Sequence, residues 1–161
     1  MPANQKIVPC LWFDTQAEEA ANFYVSALPD SRIDKVVRAP GDYPGGKEGS
    51  VLMVEFTLAG SRYTALNGGP YFTFTEAISL QIDTADPGET DRMYAALSAV
   101  PEAEQCGWVK DRYGLSWQIV PHGFTELMSD PDPAVAGRAF AAMMEMKRLD
   151  IEALRAAAHP H

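Results

Sequence analysis

The chain has 161 residues, 47% hydrophobic and 22% charged, and its 13 Lys and Arg stand against 22 Asp and Glu for a net charge of −9. This is the length and composition of one globular domain with a sizeable core, which excludes a disordered or fibrous chain. The acidic balance leaves no footprint for nucleic acid or anionic membrane, and no apolar run approaches the ~20 residues of a spanning helix.

The first residues carry no apolar signal core, so a cytoplasmic protein is expected. Cys10 and Cys106 are too few for a disulfide framework and too distant for a CxxC redox motif. Of three histidines, His159 and His161 fall in a tail expected to fray, which leaves His122 in the body. A zinc or iron site wants several His or Cys converging, and a serine triad wants a G-x-S-x-G elbow; the chain offers neither.

In chain order, residues 7–13 read as a buried strand, and Thr15 to Glu18 as a capping box opening a helix. Ala17, Ala20, Ala21, Tyr24 and Leu28 form that helix's apolar stripe, and Pro29 to Ser31 ends it. Strands are expected over 33–39, 50–58 and 61–67, with Ala59-Gly60 as a two-residue turn between the last two. The pattern then recurs. A strand over 77–83 alternates Ile78, Leu80 and Ile82 against Ser79, Gln81 and Asp83, and Asp86-Pro87-Gly88-Glu89 caps a second helix. Strands follow at 102–106, 108–110 and 115–121, and helices at 125–128, 133–147 and 150–157.

The resulting fold class is α+β: two βαβββ modules, 7–67 and 77–121, form a curved mixed sheet around a central pocket, and a helical tail spans 122–158. All belong to a single domain over 1–161. Alternation puts Cys10, Trp12, Tyr63, Ala65, Asn67, Ser79, Gln81, Ser116 and Gln118 on the polar, pocket side of the sheet. Trp117 falls on the helix side, in the core. A face rich in amides, hydroxyls and aromatics suits a small organic ligand better than a second core.

Other motifs give way to structural readings. Gly41 to Lys47 matches GxxxxGK, but Glu48 replaces the metal-holding hydroxyl and a strand follows instead of a helix, so it reads as a flexible hairpin loop. No glycine-rich turn joins the first strand and helix, as a nucleotide-type methyltransferase would need. Asp130-Pro131-Asp132-Pro133 reads as a helix stop and start. Met143, Met144 and Met146 read as packing or as interface residues.

Cys10-Leu11-Trp12-Phe13-Asp14, Ala17 to Tyr24, Ala65 to Pro70, Gln105 to Asp111, Gly114 to Pro121 and Ser129 to Pro133 together resemble the PhnB-like branch of the vicinal oxygen chelate superfamily. The resemblance runs over about residues 6 to 155. This branch often carries the label demethylubiquinone methyltransferase-like, and its superfamily includes glyoxalase I, extradiol dioxygenases and antibiotic-sequestering proteins. The resemblance implies paired βαβββ modules, a pocket and a homodimer. It also implies an alternative to simple binding: a metal-dependent lyase or dioxygenase, or a transferase. The superfamily's metal positions fall at Val8 or Pro9, Asn67, Ala77 and Gln118, a set without His or Glu, so no metal and no cofactor are expected. The ligand-binding candidates are Cys10, Trp12, Tyr63, Asn67, Phe74, Ser79, Gln81 and Gln118.

Overall fold

The computed structural model describes residues 5–160. The chain divides into two compact units, Met1–Phe74 and Thr75–His161. Each carries one mixed sheet.

In the first unit, strand β1 (Cys10–Phe13) leads into helix α1 (Ala17–Ala27), followed by β2 (Arg32–Arg38), β3 (Val51–Leu58) and β4 (Ser61–Asn67). The sheet order is β1-β4-β3-β2, with β1 parallel to β4 and the other pairs antiparallel. Ala59 and Gly60 both have positive φ, the two-residue turn whose twist matches the strands it joins. Ala17, Ala20, Ala21 and Tyr24 of α1 bury fully against Leu11, Val54, Phe56 and Ala65. Strand β1 is shorter than expected. Pro9 lacks the N–H a ladder needs, and Ile7 is 85% exposed instead of buried.

Helix α1 does not use the expected capping box. Its N-cap is Gln16, which makes no side-chain cap bond; the Asn67 amide oxygen accepts the Ala17 N–H at 2.8 Å instead. The 41–47 loop is also more constrained than a flexible hairpin. Tyr43 and Gly46 exchange backbone bonds of 2.9 and 3.0 Å, and the Tyr43 hydroxyl donates to the Asn67 carbonyl at 3.0 Å.

In the second unit, β5 (Ser79–Thr84), α2 (Pro87–Leu97), β6 (Trp108–Lys110) and β7 (Ser116–Pro121) form a three-stranded sheet in the order β5-β7-β6. The strand expected at 102–106 is absent. Pro101–Ala103 forms a 3-10 turn, and Cys106 and Gly107, both at positive φ, fold the chain into a tight Gln105–Trp108 bridge. Proline withholds a ladder donor, and left-handed residues break the extended run. Ile78 precedes β5 and is 57% exposed. Trp117 is core, as expected: its indole N–H donates to the buried Asp111 carboxylate at 2.8 Å.

The tail forms α3 (Phe124–Met128), α4 (Pro133–Met144) and α5 (Ile151–Ala158). Asp132 and Asp150 cap α4 and α5. Leu127, Val135, Ala139, Ile151, Leu154 and Ala158 make their shared core. The tail is therefore packed rather than frayed as far as His159, whose N–H donates to the Arg155 carbonyl; His161 lies outside the described residues. Backbone bonds from Cys106 to Met146 and from Gly107 to Lys147 fasten the tail to the 105–108 turn. Among the described residues no helix is long and apolar enough to cross a membrane.

Candidate functional site

Each sheet has one face covered by its helix and one face free of it. Leu11 and Phe13 point to the helix side of β1, so Cys10 and Trp12 take the opposite face, as expected. Register across the sheet puts Trp12, Leu66, Met53 and Val37 in one row of that face, and Cys10, Thr64, Glu55 and Lys35 in the next. Trp12 is held firmly. Its indole N–H donates to the Gly69 carbonyl at 2.9 Å, and its ring meets Phe72 edge-on at 4.9 Å. Gly68 lies so close that an added Cβ would fall 2.3 Å from the indole.

Three expected ligand-binding residues lie elsewhere. Leu11 pairs with Ala65 and Phe13 with Asn67, which puts Tyr63, Ala65 and Asn67 on the helix side. Tyr63 stacks on the buried Phe56 at 5.7 Å, and burial raises its phenol pKa above the ordinary value of 10.0. Both ends of the Asn67 amide are in use: the oxygen caps α1, and the nitrogen donates to the Val51 carbonyl at 3.0 Å. Phe74 packs edge-on against Phe13, also a helix-side residue, at 5.4 Å. The cause of the misplacement is local. The sets Arg62-Thr64-Leu66 and Tyr63-Ala65-Asn67 are each mixed in polarity, so alternation within β4 cannot choose its buried face.

The second sheet follows expectation more closely. Leu80, Ile82, Val109, Trp117 and Ile119 share the α2 side, which leaves Ser79, Gln81, Ser116 and Gln118 on the free face. Gln118 donates to the Ser79 hydroxyl at 2.9 Å, and Gln81 to the Asp83 carboxylate at 2.8 Å. The register adds two residues absent from the expected set. Trp108 lies opposite Gln118, and Lys110 opposite Ser116. The signal that could have found them is the position of Trp108 and Lys110 on either side of Val109, the single apolar aliphatic residue of a short edge strand. Both line a cleft of about 320 Å³ with Glu76, Val100, Glu102, Ala103, Val109 and Ser116, and Lys110 pairs with Glu76 at 3.0 Å.

The metal that the sequence resemblance implies does not fit these residues. Val8, Pro9 and Ala77 have no side-chain donor, the Asn67 amide is committed at both ends, and Gln118 supplies one neutral amide. Among the described residues no three His, Cys, Asp or Glu come together to hold a metal ion.

Comparison with known proteins agrees with this architecture. The 3-demethylubiquinone-9 3-methyltransferase family matches residues 5–120, so helices α3 to α5 lie outside the matched part. A Bacillus cereus protein described as a 3-demethylubiquinone-9 3-methyltransferase, PhnB protein, is 35% identical with a TM-score of 0.62; the match covers 73% of this chain and 99% of that one. A Pseudomonas aeruginosa protein, 18% identical with a TM-score of 0.57, covers 73% and 98% and shares the fold. A glyoxylase/bleomycin resistance protein/dioxygenase domain from a Frankia species is 15% identical with a TM-score of 0.46, covering 74% and 94%. No curated protein matches the chain. With the family match spanning most of its length, the chain belongs to the 3-demethylubiquinone-9 3-methyltransferase, PhnB-like family.

Proposed function

We propose that the protein is a cytoplasmic, homodimeric, metal-independent binder of a small organic ligand, which it holds on a helix-free sheet face. The observation that carries this reading is the second sheet's free face, where three strands gather Ser79, Gln81, Gln118, Trp108 and Lys110 beside an open cleft. A face built only for packing would be apolar. One with hydroxyl, amide, ammonium and indole groups in neighbouring register orients a polar ligand. On the first sheet the same role falls to Trp12 and Cys10.

Transfer of a methyl group finds less support. The link from β1 to α1 is Asp14-Thr15-Gln16, with no glycine to admit a nucleotide-like cofactor against the backbone. Metal-assisted chemistry lacks its ligand set, as described above.

The test uses untagged protein purified without chelators. Elemental analysis is expected to find less than stoichiometric transition metal. Titration with a library of small organic compounds is expected to change tryptophan emission, with Trp12→Phe and Trp108→Phe removing part of the change. One equivalent of metal per chain, lost on Gln118→Ala, would overturn the metal-independent reading. No response to any compound would overturn ligand binding.

A further inference from the structure

Resting on the ligand-binding reading above, we infer that the free face of the second sheet recognises a neutral planar ring bearing a cis-amide edge, an N–H beside a C=O as in a lactam. The argument starts from the Gln118–Ser79 hydrogen bond. Gln118 donates its amide N–H to the Ser79 oxygen at 2.9 Å, so the serine proton is free to donate and the Gln118 carbonyl oxygen is free to accept. Exchanging the two ends of the Gln118 amide reverses the pair without destroying it. The serine then donates to the amide oxygen, and its own oxygen accepts while the amide nitrogen donates. In either arrangement two half-buried groups side by side offer one donor and one acceptor. A cis-amide is the complementary edge.

Three neighbours narrow the class further. Trp108 lies opposite Gln118 on the same face, half-buried, and offers an aromatic surface for a flat ring. Lys110, the one cation lining the adjoining cleft, is already neutralised by Glu76 at 3.0 Å. Glu102 adds a second carboxylate to the lining. An anionic ligand would meet that excess of negative charge, which disfavours an anion and agrees with an uncharged lactam-type ring. Gln81 lies in the same row as Gln118 and turns its amide nitrogen to Asp83, which leaves the Gln118–Ser79 pair as the polar edge nearest Trp108.

The test compares 2-pyridone, a cis-amide ring, with N-methyl-2-pyridone, which keeps the shape and carbonyl but lacks the N–H. A library of unrelated small compounds runs in parallel, and binding is followed through the side-chain amide resonances of Gln118 and Gln81 and the Trp108 indole resonance. Sites built to hydrogen-bond a polar hydrogen reject the analogue lacking it, so 2-pyridone is expected to bind at least ~10-fold tighter and to shift the Gln118 resonances. Ser79→Ala and Gln118→Leu are each expected to erase that preference. Equal affinity for the two rings, or shifts confined to other residues, would overturn the inference. If other compounds move these resonances and 2-pyridone does not, the cis-amide class falls and the ligand-binding reading stands. If no compound moves them, both fall.

Discussion

The side-chain oxygen of Asn67, at the end of β4, accepts the first helical N–H of α1 from Ala17 at 2.8 Å. Its nitrogen donates to the Val51 carbonyl, so one side chain ties helix, strand and neighbouring strand together. Removing a capping oxygen costs about 1 kcal/mol, and leaving the Val51 carbonyl without its donor adds a comparable amount. Asn67→Ala is therefore expected to lose about 2 kcal/mol of unfolding free energy in urea. Thr15→Ala, at the position where the sequence pattern puts the cap, is expected to change stability by less than ~0.5 kcal/mol.

Gly68 controls the position of Trp12. A methyl group there would overlap the indole, whose nearest atoms lie 2.3 to 2.5 Å from the ideal Cβ. Gly68→Ala is expected to cost about 1–3 kcal/mol through overpacking and to move Trp12 off its Gly69 hydrogen bond. Near-ultraviolet circular dichroism of Gly68→Ala, compared with Trp12→Phe, checks this. An unaltered tryptophan band in the alanine variant would show that the ring has room the structure denies it.

Tyr94 links α2 to the tail. Its hydroxyl donates to the Lys147 carbonyl at 3.0 Å, and the Arg148 guanidinium lies 4.8 Å from its ring centroid. Burial, with a smaller contribution from Glu104, pushes its pKa up to about 12 from an ordinary value of 10.0. The folded protein thus keeps a proton that the unfolded chain releases between pH 10 and 12. The associated stability is complete below pH 10 and is lost as pH rises through 12. Tyr94→Phe is expected to flatten the fall in stability across that window, measured by urea unfolding at pH 9, 10 and 11.

The tail carries an apolar groove. Phe124, Met128, Ala136, Gly137, Phe140 and Met143 line it, and Phe140 and Met144 are 54% and 48% exposed. Met143 and Met146 pack on the tail's core, in line with the packing reading, while Met144 is exposed. Homodimerisation through this patch is expected to give twice the chain mass in sedimentation at micromolar concentration. Phe140→Glu is expected to shift the protein to monomer with its helical circular dichroism unchanged. A monomer for the unaltered chain would set the homodimer aside.

Features governed by neighbours in sequence were legible in advance. Asp86 and Asp132 cap the helices that follow them, each ahead of a proline. Ala59-Gly60 makes its turn, and Ser79, Gln81 and Gln118 share a face because period-2 alternation there runs against clearly apolar partners. Capping, turn geometry and strand pleat act over a few residues, and a few residues carry their full signal. The tertiary structure alone decided the rest. The cap of α1 comes from a strand 50 residues onward. The buried face of β4, and with it the placement of Tyr63 and Asn67, follows from pairing with β1 rather than from a polarity pattern that is mixed on both faces. The missing strand before Trp108 reflects competition for the backbone of Cys106 and Gly107, whose N–H groups bond to Met146 and Lys147 in the tail. In each case the deciding hydrogen bond joins residues tens of positions apart, beyond the reach of any local pattern.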